Sequence, residues 1–236
     1  MKNTKNLVYS PPPKEDGCTD YKGVPSWLEA ERQLSGLTKD AESSSFTTKL
    51  CLWFGDVTKI AGEDLAIVNA ANITLRKGGG VNGIIHRAAG KQLEQECRLL
   101  ALARENPIGV TECIITDGYN LPCAKVIHSI SPSQNQKDEL YTTYMNVFEL
   151  ALENDLGAVC IPALSTGSHF FSHKDAAEVA ITAGRDFLAN LGSNATDTTA
   201  TSNSTPFLKI IYCCVDESML EIYKSSFAEV IAAESI

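Results

Sequence analysis

The sequence predicts an α/β protein with helices on both faces of a central sheet. Short apolar runs of strand length recur along the chain, and segments of helical period lie between them. Polar stretches bearing glycine or asparagine follow three of the runs, at 55–58, 69–83 and 165–170. Ligands in such folds bind at the carboxyl ends of strands, so these stretches are expected to converge on one site.

Residues 1–47 form an N-terminal extension. Its first twenty residues are polar, carry Pro11-Pro12-Pro13 and are expected to be disordered. Trp27, Leu28, Ala30, Leu34 and Leu37 give a weakly amphipathic helix over 24–37, and 39–45 is a polar linker. The compact domain, 48–236, opens on a strand at Leu50–Phe54 and continues with a buried strand at Leu65–Val68. A helix is expected from about Asn82 to Arg104, then strands at Glu112–Thr116 and Lys125–Ile130 with Pro122 between them and Pro132 just beyond. Leu140, Tyr144, Val147, Phe148 and Ala151 mark a helix, and Ala158–Ile161 a strand closed by Pro162. Ser172 and Asp175 form a capping-box variant ahead of another helix. The stretch 192–206 is a low-complexity polar loop, Leu208–Val215 a last strand and Met219–Ile231 a closing helix.

Net charge is −9, which argues against a broad basic surface for duplex nucleic acid. The eight cysteines form no CxxC pair and several sit in apolar runs, as buried reduced thiols do. No apolar run approaches the ~18 residues of a membrane span. With no secretory or transit pattern at the start, the expected location is cytoplasmic or nuclear.

The richest stretch is Asp64–Gly90. Lys77-Gly78-Gly79-Gly80-Val81-Asn82-Gly83 leads into a helical segment, and such a loop can hold an anion on backbone amides alone. Gly78, Gly80 and Gly83 satisfy GxGxxG, but the strand ends near Val68, too early for a dinucleotide fingerprint, and Glu94 and Glu96 lie within the helix. Gly90-Lys91 is followed by Gln92, so there is no P-loop. Asn69 and Asn72 suit either a turn or a site. Ser165 lacks a GxSxG elbow. His169 and His173 straddle a loop and a helix start, which disfavours a metal pair, and no metal site is expected. His86 and His128 sit in apolar segments as core residues, and Cys213 and Cys214 point to opposite faces of a strand.

Taken as a set, Gly55-Asp56-Val57-Thr58, Ala66-Ile67-Val68-Asn69-Ala70-Ala71-Asn72, the run Gly78 to Gly90, Asp117 to Pro122, Val126-Ile127-His128 and Ile161 to Gly167 resemble macrodomains of the MacroD type, over about residues 48–231. The resemblance implies a three-layer α/β/α fold with a mixed sheet and a cleft for ADP-ribose. By it, Asp56 accepts from the adenine amino group and the Val57 amide meets the ring. Gly79, Gly80 and Val81 form one phosphate loop, and Ser165, Thr166, Gly167, Ser168 and His169 the other. Asn72 holds the proximal ribose near the scissile bond.

The sequence also departs from that family. Asn82 stands where these enzymes have Asp, and a neutral amide orients water or a hydroxyl but takes no proton. Lys77 replaces a glycine and adds charge beside the expected diphosphate site. His169-Phe170 replaces an aromatic residue followed by Gly, and Val215 replaces an aromatic that stacks on adenine. The expectation is hydrolysis of mono-ADP-ribose esters on acidic side chains, and of O-acetyl-ADP-ribose, with Asn72 and Asn82 catalytic. The alternative is a non-catalytic ADP-ribose reader. No cofactor is expected beyond ADP-ribose as ligand or product, and mono-ADP-ribosylated proteins are the expected partners of a monomer. A third reading makes the N-terminal extension a partner-binding element.

Overall fold

The computed structural model describes residues 4–35, 47–194 and 209–232. Within these, seven strands form one sheet: β1 (Thr19–Asp20), β2 (Leu50–Phe54), β3 (Ile60–Ala70), β4 (Cys113–Asp117), β5 (Cys123–Ser129), β6 (Ala158–Pro162) and β7 (Lys209–Cys214). The helices are α1 (Trp27–Ser35), α2 (Gly80–Ala89), α3 (Lys91–Leu102), α4 (Lys137–Glu153), α5 (His173–Asn194) and α6 (Glu217–Ala232). Strand order is β2-β7-β6-β3-β5-β4, with β1 beside the start of β3. Pairing is parallel except where β4 runs antiparallel to β5 at the edge, so the sheet is mixed.

Successive side chains of a strand face opposite sides of the sheet, and here both sides are covered. Leu50 and Leu52 of β2, Ala66 and Val68 of β3, and Ile210, Tyr212 and Cys214 of β7 enter one core with α4, α5 and α6. The intervening Cys51, Trp53, Leu65, Ile67, Ile211 and Cys213 enter a second core with Ile85 and Ala89 of α2 and Leu93 and Cys97 of α3. This is a three-layer α/β/α arrangement. The adjacent Cys213 and Cys214 fall in different cores, and all eight cysteines are free.

The central apolar run is longer than it looks in sequence. β3 extends to eleven residues because its first part pairs with β1, while its buried part lies between β5 and β6. The single helix expected over 82–104 is two. Gly90, at φ 89, takes a backbone angle costly for an L side chain and breaks α2 from α3. The capping box ahead of α5 is present, with the Asp175 amide donating to Ser172 Oγ. α5 runs on to Asn194; the rest of the low-complexity stretch and the 39–45 linker lie outside the described residues.

The N-terminal segment corrects its composition-based reading. Residues 4–9 form a 3-10 helix, β1 joins the sheet, and Tyr9 and Tyr21 are fully buried. Tyr21 donates to Asp64 Oδ1 at 2.9 Å. Its ring lies over Gly62, where a Cβ would stand 2.4 Å from ring carbon Cδ1. Lys209 donates to the Lys22 and Val24 carbonyls, and Trp27 of α1 stacks on Phe227 of α6 at 5.5 Å. Aromatic residues spaced along a polar stretch anchor it, and average hydropathy hides them. Tyr21→Phe is expected to lower unfolding free energy by ~1 kcal/mol through loss of the Asp64 hydrogen bond. Tyr21→Ala should cost ~3–5 kcal/mol by emptying the pocket. Urea denaturation of the full chain checks both, and an unchanged midpoint for Tyr21→Ala would refute the anchoring.

Candidate functional site

The loops that follow β2, β7, β6, β3 and β5 all leave from the same edge, because these strands are parallel. At one end lie Gly55, Asp56 and Val57 after β2 and Val215 after β7, tied by a bond from the Gly55 amide to the Cys214 carbonyl. Asp56 Oδ1 accepts from the Thr58 amide and hydroxyl at 2.9 and 2.8 Å, capping a short 3-10 turn. Both turn bonds fall on Oδ1 of this exposed carboxylate, which leaves Oδ2 outside the turn. Val57 is buried beneath this turn. Val215 is 61% exposed, an aliphatic surface at the cleft end.

The loop after β3 is held by two asparagines. Asn72 Oδ1 accepts from the Thr74 amide and hydroxyl and from the Arg76 amide, while Nδ2 donates to the Arg76 carbonyl at 2.6 Å. Asn82, buried on the first turn of α2, accepts from the Gly78 amide at 3.2 Å and donates to the same Arg76 carbonyl at 3.4 Å. Each primary amide retains one N–H. Both Nδ2 atoms lie 3.7 Å from the point where a Gly78 Cβ would stand, so the pair converges on the glycine loop. Gly80 has φ 54, and the amides opening α2 have no carbonyl one turn behind them. Lys77 pairs with Glu94 of α3 at 3.4 Å, so its charge is partly offset by a carboxylate.

The loop after β6 crosses the cleft. Ser165, at φ 64, donates from Oγ to the Pro132 carbonyl at 2.8 Å, and His169 Nδ1 meets the same carbonyl at 3.0 Å. The His169 carbonyl in turn accepts from the Gln134 amide at 2.9 Å. Thr166 Oγ1 donates to the Ala163 carbonyl, and Phe170 is 77% exposed. Among the described residues, no acceptor is found for the amides of Gly167, Ser168 or His169. The two loops thus offer amide donors from both sides of the cleft, an anion cradle without a charged side chain. The sequence gives no hint of Arg76 and Pro132, whose contribution is a main-chain carbonyl. The only local signal for the latter is a proline just past a strand.

His128 matches its expected place as a satisfied core residue. Asn69 Nδ2 donates to Nδ1 at 3.0 Å, so Nε2 carries the hydrogen and meets Thr116 Oγ1 at 3.0 Å. Burial first, and the neighbouring His86 second, pull its pKa down to about 3. His86 differs: it is buried, yet neither ring nitrogen has a hydrogen-bond partner among the described residues. Burial lowers its pKa from the ordinary value. His86, Cys97 and His128 place donor atoms within 4.8 Å of one another, the one such trio among the described residues, but both nitrogens of His128 are already engaged. A cavity of about 920 Å³ lies on the outer flank of the loop, between residues 73–77, α3 and 104–108. Asp56, Gly79–Val81 and Ser165–His169 do not line it, so the candidate site is separate from that cavity.

These features define an α/β/α domain with an amide-lined groove across its strand ends. The Macro domain family model matches residues 68–180. ADP-ribose glycohydrolase MACROD1 of Rattus norvegicus is 37% identical over 183 residues, covering 72% of this chain and 68% of its own length. A macro domain-containing protein of Mesorhizobium japonicum is 35% identical, covering 74% of this chain and 90% of its own. The Trypanosoma brucei macrodomain solved with ADP-ribose superposes with a TM-score of 0.69 at 25% identity, over 94% of this chain and 84% of its own. The chain belongs to the macro domain family. It spans 54% of the length of the mouse MACROD1 relative and 47% of the Xenopus laevis ADP-ribose glycohydrolase MACROD2 relative.

A Cβ on Gly83 would stand 2.4 Å from the Gly78 carbonyl oxygen, a backbone contact that cannot swing away. Gly83→Ala should therefore lower stability by ~1–3 kcal/mol as the loop is pushed off α2. Thermal or urea unfolding measures it, and a wild-type midpoint would show that the loop yields freely.

Proposed function

We propose that this macrodomain binds ADP-ribose along the groove and hydrolyses it from mono-ADP-ribosylated proteins esterified on acidic side chains, and also acts on O-acetyl-ADP-ribose. The observation that carries the reading is the convergence of Asn72 and Asn82 on a glycine loop opposite a second amide-bearing loop. The relatives named ADP-ribose glycohydrolase support it. The span also suits the ligand: β2 and β3 lie three strand spacings apart, ~14 Å, which separates an adenine end at Asp56 from a ribose end at Asn72. The diphosphate lies between them on the amides of both loops, and the free N–H groups of Asn72 and Asn82 orient the terminal ribose and the attacking water.

A second reading, a non-catalytic reader of ADP-ribose, is favoured by one observation. Neither 72–82 nor 163–171 contains a carboxylate, and Asn82 is neutral. One experiment separates the two: loss of label from an auto-mono-ADP-ribosylated protein, with ADP-ribose affinity measured in parallel. Binding with release of free ADP-ribose establishes the hydrolase, and binding without release makes the protein a reader. No binding removes both.

Asp56→Ala should weaken ADP-ribose ~10–100-fold, since a hydrogen bond to a charged group contributes ~1.5–3 kcal/mol. Turnover of bound substrate should change little. Calorimetric titration beside single-turnover release checks the split, and equal losses in both quantities would remove Asp56 from the adenine end.

A further inference from the structure

We infer that His169 is the general base of the reaction proposed above, occupying the role that Asn82 cannot fill. This role rests on the hydrolase reading. Three structural facts carry it. First, β5 and β6 flank β3 on opposite sides, so the bonds joining the post-β6 loop to Pro132 and Gln134 carry that loop across the carboxyl end of β3. The chain emerging there is Ala71-Asn72, with the Ala71 amide bonded to the Ser129 carbonyl. His169 is thus held where the post-β5 and post-β6 loops meet, on the edge of the sheet from which Asn72 emerges.

Second, the tautomer is fixed. A carbonyl only accepts, so the Nδ1 that meets Pro132 at 3.0 Å carries the hydrogen, and the neutral ring keeps its lone pair on Nε2. His169 is half-buried, held at one nitrogen and open at the other. Third, the glycine loop and the post-β6 loop supply no competing carboxylate.

Water adds through oxygen to the anomeric carbon of the terminal ribose while His169 Nε2 takes one of its protons. The bond between that carbon and the ester oxygen breaks, and its electron pair leaves with the carboxylate of the target side chain. A carboxylate departs without protonation at neutral pH, so one base suffices and no acid is required. The proton on His169 then returns to solvent.

The charged groups on the elements flanking this loop are largely engaged elsewhere. Lys137 at the start of α4 pairs with Asp175 at the start of α5, and Lys174 pairs with Glu178 and Glu229. Glu139 accepts from Gln136, and Asp138 lies beside it in the first turn of α4. Across the cleft, Lys77 pairs with Glu94, and Arg76 is exposed. Of the four histidines, His86 and His128 are buried in the core, and exposed His173 is the remaining imidazole near the loop.

The test is single-turnover release of ADP-ribose from an ester-linked, auto-mono-ADP-ribosylated protein across pH 5–8, with ADP-ribose affinity measured alongside. The wild-type rate should rise with pH to a plateau, as a base that must first be free of its proton requires. His169→Gln should lower the rate ~10²–10⁴-fold and flatten that profile, with affinity held within a few-fold. His173→Gln should leave both rate and profile as they are. A His169→Gln enzyme that keeps the wild-type rate, or loses only affinity, overturns the role of His169 and leaves the hydrolase reading standing. Wild-type protein that binds ADP-ribose and releases none overturns both.

Discussion

The pairing of β3 on both sides is the constraint on which the rest of this structure depends. Its buried residues Leu65–Val68 lie between two parallel neighbours, β5 and β6, and feed cores on both faces of the sheet. A strand so enclosed cannot slip by one residue without exchanging its two apolar faces. That fixes where the chain emerges, and therefore where Asn72 begins. The loops after β5 and β6 are placed relative to β3 by the same pairing. The ribose end of the groove is positioned from this one strand, while β2 and β7 carry the opposite end.

The loops themselves are shaped by side chains that act on main-chain carbonyls. Asn72 and Asn82 meet at the Arg76 carbonyl, and Ser165 and His169 meet at the Pro132 carbonyl. Each junction uses side-chain hydrogen bonds to organise a segment without regular secondary structure. The consequence is a groove whose donors are mostly backbone amides. Such donors can hold an anionic ligand in a protein whose net charge is −9, because oriented N–H groups act at short range whatever the overall charge.

Two departures from the MacroD pattern, Asn82 and His169, lie in separate loops that the fold brings to one groove. An amide at position 82 keeps the hydrogen bonds that knit the glycine loop to α2 and removes proton-accepting capacity there. An imidazole at position 169 adds such capacity across the groove. Neither change is interpretable alone; their relation depends on the crossing of the post-β6 loop over the end of β3.

How much was legible in the sequence follows from the range of the interactions involved. Strand and helix order came from local periodicity, and the anion cradle came from three consecutive glycines after a buried run. The mixed sheet and ADP-ribose cleft came from resemblance alone. The sequence missed the break at Gly90 because an apolar period continues through it. It missed the docking of the first twenty residues because buried Tyr9 is diluted among polar neighbours. The Lys77–Glu94 pair was hidden because it joins a loop to the second helix beyond it, past α2. By itself, then, the sequence determined the alternation of elements and the chemistry available in each loop. Tertiary structure alone decided which loops meet, which carbonyls hold them and which nitrogen of His169 carries its proton. Those depend on contacts between residues far apart in the chain, which no local pattern records.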